Sequence, residues 1–573
     1  METYISLPNR VVQIVQDTSS ALIWQTFAAV LLFSCLATRI ITGLQSQPRK
    51  VVEGEPHPVR KLPYWIPWLG HTLSFVKGHR NFVAKAGETI NEPVVALHIG
   101  GQTHNMILSP SITKALFAHR GASTDFFVFR IMETVFGDGG LVRNMDHRDL
   151  KSLNNALALI MREPYVTDTS SAAVKLIKQE TANFVSFSRS VVDQAVWERG
   201  SEISVIDGTN PPVCEANLFS LTRNFVGYIT TCAFMGRSFV DFYPGLLEDL
   251  FALDNAFFLL VAGAPKWLPM PSVSAAYAAR ERLQKLIAAL HISFAAVEDG
   301  RDPGVEFRDL DDLSEMIKLR MRTWRKAGYS PIVGAKGDLA VLWAMNVNST
   351  NIVFWNLLHI YSDPDLLSAL REEMAPFVKA SRLSPKETGL PFTEPPRLSL
   401  DLEGLLNSCP LLRATYLETL RMDSNSTSYR ELSTDVTLTE SAEDAAKFGA
   451  SQPRSYHFRK GDILAVPHGA HQIDPRYYPS PDKFDPYRFI VTDPDTGKKS
   501  ADMQTIRPFG GGASMCKGRI FADREVLAFT AAILALWDIE PVSNEGWTNP
   551  GHKPGSSAYL PAHEVRVRLK HRI

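Results

Sequence analysis

The chain begins with one long apolar run and then alternates between helical and strand-like periodicities. Ala21 to Ala37 is almost wholly apolar, broken by Gln25, Thr26 and Ser34, closed by Arg39 and extended by Ile40 and Ile41. As a helix, Ser20 to Leu44 spans roughly 35 Å at ~1.5 Å per residue, enough to cross a hydrocarbon layer of ~30 Å. The residues before it carry Glu2, Arg10 and Asp17 rather than the basic start of a cleaved signal. Arg39, Arg49, Lys50, Arg60 and Lys61 follow it, so the positive-inside rule puts the remainder on the cytosolic side. From Gln47 to Gly70, prolines and aromatics alternate (Pro56, Pro58, Pro63, Trp65, Pro67, Trp68), which reads as a stiff linker. Beyond it, apolar spacings of three and four predict long helices over Tyr277–Val297 and Leu339–Ile360. Short strand-like runs occur at Val94–Ile99, Asn105–Leu108, Asp435–Leu438 and Ile463–Val466. Two polar stretches, Ala380–Leu398 and Thr439–Ser455, read as exposed loops. The pattern is mainly α with small sheets. It divides into 1–45 with the anchor helix, a hinge at 46–72, and one large domain over 73–573.

Composition changes this picture little. A net charge of −1 over 573 residues offers no broad basic field for nucleic acid. Cys35, Cys214, Cys232, Cys409 and Cys516 are widely scattered, with no CxxC pair. That fits a reducing compartment without zinc fingers, with the first four as buried structural thiols.

The fifth cysteine is different. Pro508-Phe509-Gly510-Gly511-Gly512-Ala513-Ser514-Met515-Cys516-Lys517-Gly518-Arg519 puts it after a glycine run and before a predicted helix. Glycines let backbone approach a flat ligand, and a helix N-terminus offers unpaired N–H groups that favour a thiolate. A thiolate on haem iron favours O–O cleavage. A lone cysteine can equally be a small buried hydrophobe, so other motifs have to decide. Glu418 and Arg421 lie three apart on one helical face. Arg488, in Phe484-Asp485-Pro486-Tyr487-Arg488-Phe489, supplies a second guanidinium for the same carboxylate.

In this order the motifs resemble those of the cytochrome P-450 family, over nearly the whole chain from the anchor onward. Phe509 to Gly518 matches the family's F-x-x-G-x-x-x-C-x-G loop, with Phe509, Gly512 and Gly518 lining the haem and Cys516 as its axial ligand. Glu418, Arg421 and Arg488 match its E-x-x-R and P-x-R-F structural triad, and His471 to Pro475 leads into the latter. Leu253 to Pro265 and Leu342 to Ser349 resemble the branch of sterol 7α-hydroxylases and prostacyclin synthase, whereas the glycine loop is more similar to filamentous-fungal enzymes. The resemblance implies a P-450 fold, a large helical domain with small β-sheets behind an N-terminal transmembrane helix. It also implies haem b, and NADPH electrons from a reductase with cytochrome b5 as a further donor. It places a single-pass protein in the endoplasmic reticulum membrane, contacting lipid, with its catalytic domain cytosolic and no nucleic acid partner.

Two positions depart from the family pattern. Ser514 stands where a basic residue contacts a haem propionate, which turns attention to Arg148 and Arg430. On the distal helix the acid–threonine pair becomes Asn348 and Ser349. Asn cannot donate a proton as an acid, though it can order water, and Ser349 keeps a hydroxyl. Thr350 is the competing register, about 100° around the helix. Phe126, Phe127, Phe129, Phe257, Phe258 and Trp267 suggest a large apolar substrate, a sterol, terpenoid or alkaloid of specialised metabolism. Lys517, Arg519 and Arg524 offer a basic face to a reductase. The expectation is a haem-thiolate monooxygenase. The alternatives are a haem-thiolate isomerase that rearranges a peroxide without a reductase, and a non-catalytic haem or lipid binder.

Overall fold

Helices form where the apolar spacing places them. A computed structural model describes residues 20–48, 54–383, 385–389 and 394–573; the acidic and basic residues expected before the first helix, together with Arg49 and Lys50, lie outside these. The first helix, α1, spans Ser20–Gln45. Its stretch Leu22–Gln45 has a mean hydropathy of 1.9 and is long and apolar enough to cross a membrane. The Thr26 and Thr38 hydroxyls donate to the carbonyls of Leu22 and Ser34, which keeps their polar groups satisfied within the helix itself.

The chain forms two compact units. One comprises residues up to Ser123 together with Ser428–His471, so both flanks of the expected hinge belong to it. Its centre is a six-stranded sheet in the order Arg60–Lys61, Val94–Ile99, Gln102–Ile107, Ile463–Pro467, Thr427–Leu432, Ala122–Ser123. Val94 to Leu97 is an unbroken buried run because both faces of the sheet are covered. Val95 and Leu97 pack with Val83, Ala86 and Ile90 of the helix Thr72–Ile90, while Val94 packs with Ile112 and Leu116. All four strand-like runs fall on strands, shifted by a few residues at their ends.

The polar stretches were less faithfully read. Within 439–455 a helix, Ala442–Lys447, is capped by Ser441, and its Asp444 is buried, accepting from the hydroxyls of Ser109 and Ser111. Serine, alanine and acid made this segment look like loop, but its carboxylate is a buried strut. The other stretch is bounded by two paired antiparallel strands, Val378–Ser381 and Arg397–Leu400.

The second unit comprises Thr124–Thr427 and Gln472–Ile573. It is built on α2 (Leu218–Met235), α3 (Pro271–Glu298), α4 (Pro331–Tyr361), α5 (Pro410–Asp423) and α6 (Arg519–Leu536). α4 runs through the middle, packed by α2, α3, α5 and α6. Proline in the first turn starts α3, α4 and α5 where its missing N–H costs nothing. Polar residues on α4 cross-link the bundle. The Thr231 hydroxyl donates to Asn346 at 3.2 Å; Asn356 donates to Thr530 and accepts from Thr419, both at 2.9 Å. A four-stranded sheet, in the order Trp537–Pro541, Arg566–His571, Val213–Asn217, Ser204–Ile206, closes one side of that core.

Candidate functional site

The cysteine loop folds around two glycines with left-handed backbone, Gly510 at φ +70° and Gly512 at φ +68°. Any other residue would be strained at these positions. The loop is closed by the Cys516 N–H donating to the Phe509 carbonyl at 3.0 Å and the Met515 N–H to that of Gly512 at 3.1 Å. Cys516 is exposed, three residues ahead of α6. A Cβ on Gly518 would sit 3.8 Å from its sulfur, so glycine keeps that flank open. Burial by the surrounding protein pushes the Cys516 thiol above its ordinary value; the backbone N–H groups of Gly518 and Arg519 and the charges of Arg519 and Lys517 pull it back only in part. The loop supplies groups that favour the thiolate. It presents a sulfur already surrounded by N–H donors, and a cation bound to that sulfur would complete the deprotonation.

The triad is assembled as expected. Arg421 forms two bonds to Glu418, Nε to Oε2 at 2.7 Å and Nη2 to Oε1 at 2.8 Å, and both residues are fully buried. Arg488 Nε adds a bond to Oε1 at 3.2 Å, and the Asp485 N–H another at 2.9 Å. Arg421 also donates to the Gln472 carbonyl at 2.9 Å. Just past the end of α5, the Ser426 hydroxyl donates to the Pro508 carbonyl at 3.2 Å, which ties this region to the cysteine loop.

On α4, Ala344 is exposed, while Trp343, Met345, Asn348 and Ser349 are half-buried. The turns on either side are buried, so this is the stretch of α4 left partly open. Thr350, the competing register, is fully buried. Asn348 does not leave its carbonyl for water: Oδ1 accepts the Ala558 N–H at 3.0 Å. Ser349 bonds back to the Met345 carbonyl at 3.4 Å.

Sequence reasoning missed Glu525, on α6 nine residues beyond the cysteine. It is 3% exposed, and among the described residues neither carboxylate oxygen has a hydrogen-bond partner. Burial raises its pKa to about 8; the hydroxyls of Ser349 and Thr230 lie near enough to lower it in part, though neither forms a well-aligned hydrogen bond with it. Asn351 on α4 and Thr230 on α2 are likewise buried without partners for their polar atoms. No strong signal was available: Glu525 follows Asp523 and Arg524 and precedes the apolar part of the helix.

Arg148 is exposed on the helix His147–Leu157. Arg430 belongs to the other unit, buried in the strand Thr427–Leu432, with its guanidinium 4.9 Å from the Phe117 ring centroid and its pKa lowered by burial. Ser514 is exposed in a short turn. Phe257 stacks on Trp343 at 5.0 Å as part of the core, whereas Trp267 is 81% exposed. Of the basic residues flanking the cysteine, Arg524 is engaged internally by Thr167 and Glu163, and Arg519 by the Cys516 carbonyl and the Met161 sulfur.

The glycine cradle, the exposed sulfur and the triad behind them suit a flat prosthetic group held by one thiolate, and comparison with known proteins agrees. Residues 339–567 match the family model of cytochrome P450. The chain is 25% identical to cytochrome P450 monooxygenase poxD of Penicillium oxalicum, over 86% of this chain and 90% of that protein. It is 24% identical to 5-beta-cholestane-3-alpha,7-alpha-diol 12-alpha-hydroxylase of Sus scrofa, over 96% and 99%. The solved structure of retinoic acid bound cyanobacterial CYP120A1 shares the fold, with a TM-score of 0.59 at 18% identity, covering 90% of this chain and 99% of that one. Over most of its length the chain is similar to cytochrome P450 monooxygenases, and residues 339–567 carry the family match.

Two outcomes test the site's framework. Glu418→Ala leaves the buried Arg421 guanidinium and the half-buried Arg488 without their carboxylate, at a cost of about 3–5 kcal/mol; the variant accumulates as haem-poor, aggregated protein, checked by the ratio of haem to protein absorbance. The second concerns Glu525, whose folded pKa of about 8 lies above its ordinary 4.5. The unfolded state therefore releases the proton first, and stability falls as pH rises between these values. Glu525→Gln removes that slope: its stability gain over the unaltered protein grows from near zero at pH about 4.5 to a few kcal/mol at pH about 8, read by denaturant unfolding at several pH values.

Proposed function

We propose that Cys516 holds a haem through its sulfur and that the protein oxidises a large apolar small molecule, using electrons that begin on NADPH and arrive through a reductase at the endoplasmic reticulum membrane. The observation that carries this reading is the exposed Cys516 sulfur at the end of the glycine loop, ringed by the N–H groups of Gly518 and Arg519. Bound there, haem supplies dioxygen activation and the insertion of one oxygen atom into a C–H bond. Phe509, Gly512 and Gly518 form the cradle around the sulfur. Arg148 is the cation proposed for a propionate in place of the missing one at Ser514.

The protein's remaining task is to move protons and exclude water. Asn348, with its carbonyl occupied by Ala558, offers only N–H groups and no proton as an acid. Glu525 is neutral at pH 7 and so carries a proton. We assign it as the internal donor to Ser349 Oγ, with Ser349 passing the proton to the partly open face of α4. This restores an acid–alcohol pair with the acid moved from α4 to α6. The apolar substrate class is supported by the half-buried aromatics Phe126, Phe127 and Phe129 and by the sterol named for the porcine relative. The anchor reading rests on α1.

Cys516→Ser abolishes the red-shifted Soret band of the reduced carbonyl complex; retention of that band overturns the ligand assignment. Ser349→Ala keeps the band but lowers the yield of product per NADPH several-fold, about the 1–2 kcal/mol of one hydrogen-bonded relay group, with peroxide released instead. Unchanged coupling in that variant means the proton travels another way.

A further inference from the structure

A histidine–carboxylate–histidine set lies away from the cysteine and the triad. Asp423, the last residue of α5, is 1% exposed. Its two oxygens each meet one imidazole: Oδ2 with His359 Nε2 and Oδ1 with His552 Nε2, both at 2.8 Å. Burial alone would raise the carboxyl, but the two histidines hold it at about 2. It is therefore a carboxylate, and both Nε2–H groups donate to it. The rings are fixed by stacking, His359 on Phe484 at 4.1 Å and His552 on Tyr559 at 4.3 Å.

The three residues come from three places: α4, the end of α5, and a hairpin that pairs His552 with Pro561 and Lys553 with Leu560. The hairpin turn needs glycine, since a Cβ on Gly555 would collide with the Ala558 carbonyl. Its tip reaches the open face of α4, where the Ala558 N–H meets Asn348. Further bonds bind the same strand, from the Asn425 N–H to the Ser557 carbonyl at 2.6 Å, from the Tyr559 N–H to the Asp423 carbonyl at 2.8 Å, and from Trp355 Nε1 to the Tyr559 carbonyl at 2.8 Å. All of these hold the returning half of the hairpin. On the outgoing half, the His552 side chain bonds Asp423, and towards the tip Ser556 faces Asp254.

We propose that His552, acting through Asp423, is a positioning residue: it pins the outgoing half of hairpin 552–561 and so fixes how far the tip stands from Asn348 and Ser349, which sets the size of substrate admitted there. The inference rests on the haem-thiolate reading of this site. A ligand that must push the tip outward breaks the His552–Asp423 bond in doing so. A small ligand does not.

The ferric holoenzyme is titrated with imidazole and with clotrimazole, a bulky azole, following the red shift that a nitrogen ligand causes in the Soret band. Wild type gives a reference ratio of the two dissociation constants. His552→Leu shifts that ratio about tenfold in favour of clotrimazole, the size of one hydrogen bond to a charged acceptor. His552→Gln, whose amide can still donate to Asp423, returns it to the wild-type value. A merely structural histidine would change the stability of both variants and leave the ratio alone. If His552→Leu fails to load haem, His552→Asn, too short to reach Asp423, carries the same test. An unchanged ratio in a variant with a normal reduced carbonyl spectrum, or a shift towards imidazole, overturns the proposal. Absence of the red-shifted carbonyl band from the wild-type protein overturns the haem-thiolate reading instead.

Discussion

One carboxylate without water organises the second unit. Glu418 is fully buried, and a buried carboxylate is tolerable only if its lone pairs are all met by donors. Two guanidiniums and a backbone N–H meet them, and these donors come from α5 itself and from the segment around Asp485 and Arg488. The interaction therefore cannot form until distant stretches of chain have arrived, and once formed it does not yield. Its value is geometric: the segment it fixes leads directly into the cysteine loop, and Ser426 joins the end of α5 to that loop at Pro508. A ligand sphere containing one protein sulfur needs a rigid surround, because nothing else on the protein side corrects the position of that atom.

The same unit contains a second buried glutamate in the opposite state. Glu418 is saturated with donors, while Glu525 has none bonded to it among the described residues and is held neutral. Identical side chains in one fold are thus held in opposite charge states, and the difference lies in what faces them. Asn348 shows the same principle: an amide in a position where an acid would be expected is spent on holding the hairpin at Ala558. Scaffold and chemistry are interleaved on one face of α4 within two residues.

Much of this could be read from the chain. The long helices, the strands of the first unit and the apolar α1 follow from periodicity, and the triad followed from spacing once a second arginine was found for Glu418. What escaped was set by burial. Glu525 looked like an ordinary helical acid because sequence does not tell which face of α6 meets α4 and α2. Asp444 looked like loop because its partners, Ser109 and Ser111, are more than three hundred residues away. The N–H groups and cations expected around the Cys516 sulfur are in place at Gly518, Arg519 and Lys517, while desolvation, which a linear motif does not show, acts against them. Asp423 and its histidines were invisible for the same reason, being 64 and 129 residues apart.

Near the other end of the chain, the Thr42 hydroxyl shares a hydrogen bond with the backbone of Tyr64, and Arg39 lies over the ring of Trp65 at 5.5 Å. The apolar helix is therefore not a loose leash. Its last turn is latched to the segment that follows, twenty-two residues on, so rotation of the helix about its axis turns that segment with it. Mechanically, α1 acts as a spindle. A foreign helix spliced in at this point would lose that latch unless it carried its own threonine there.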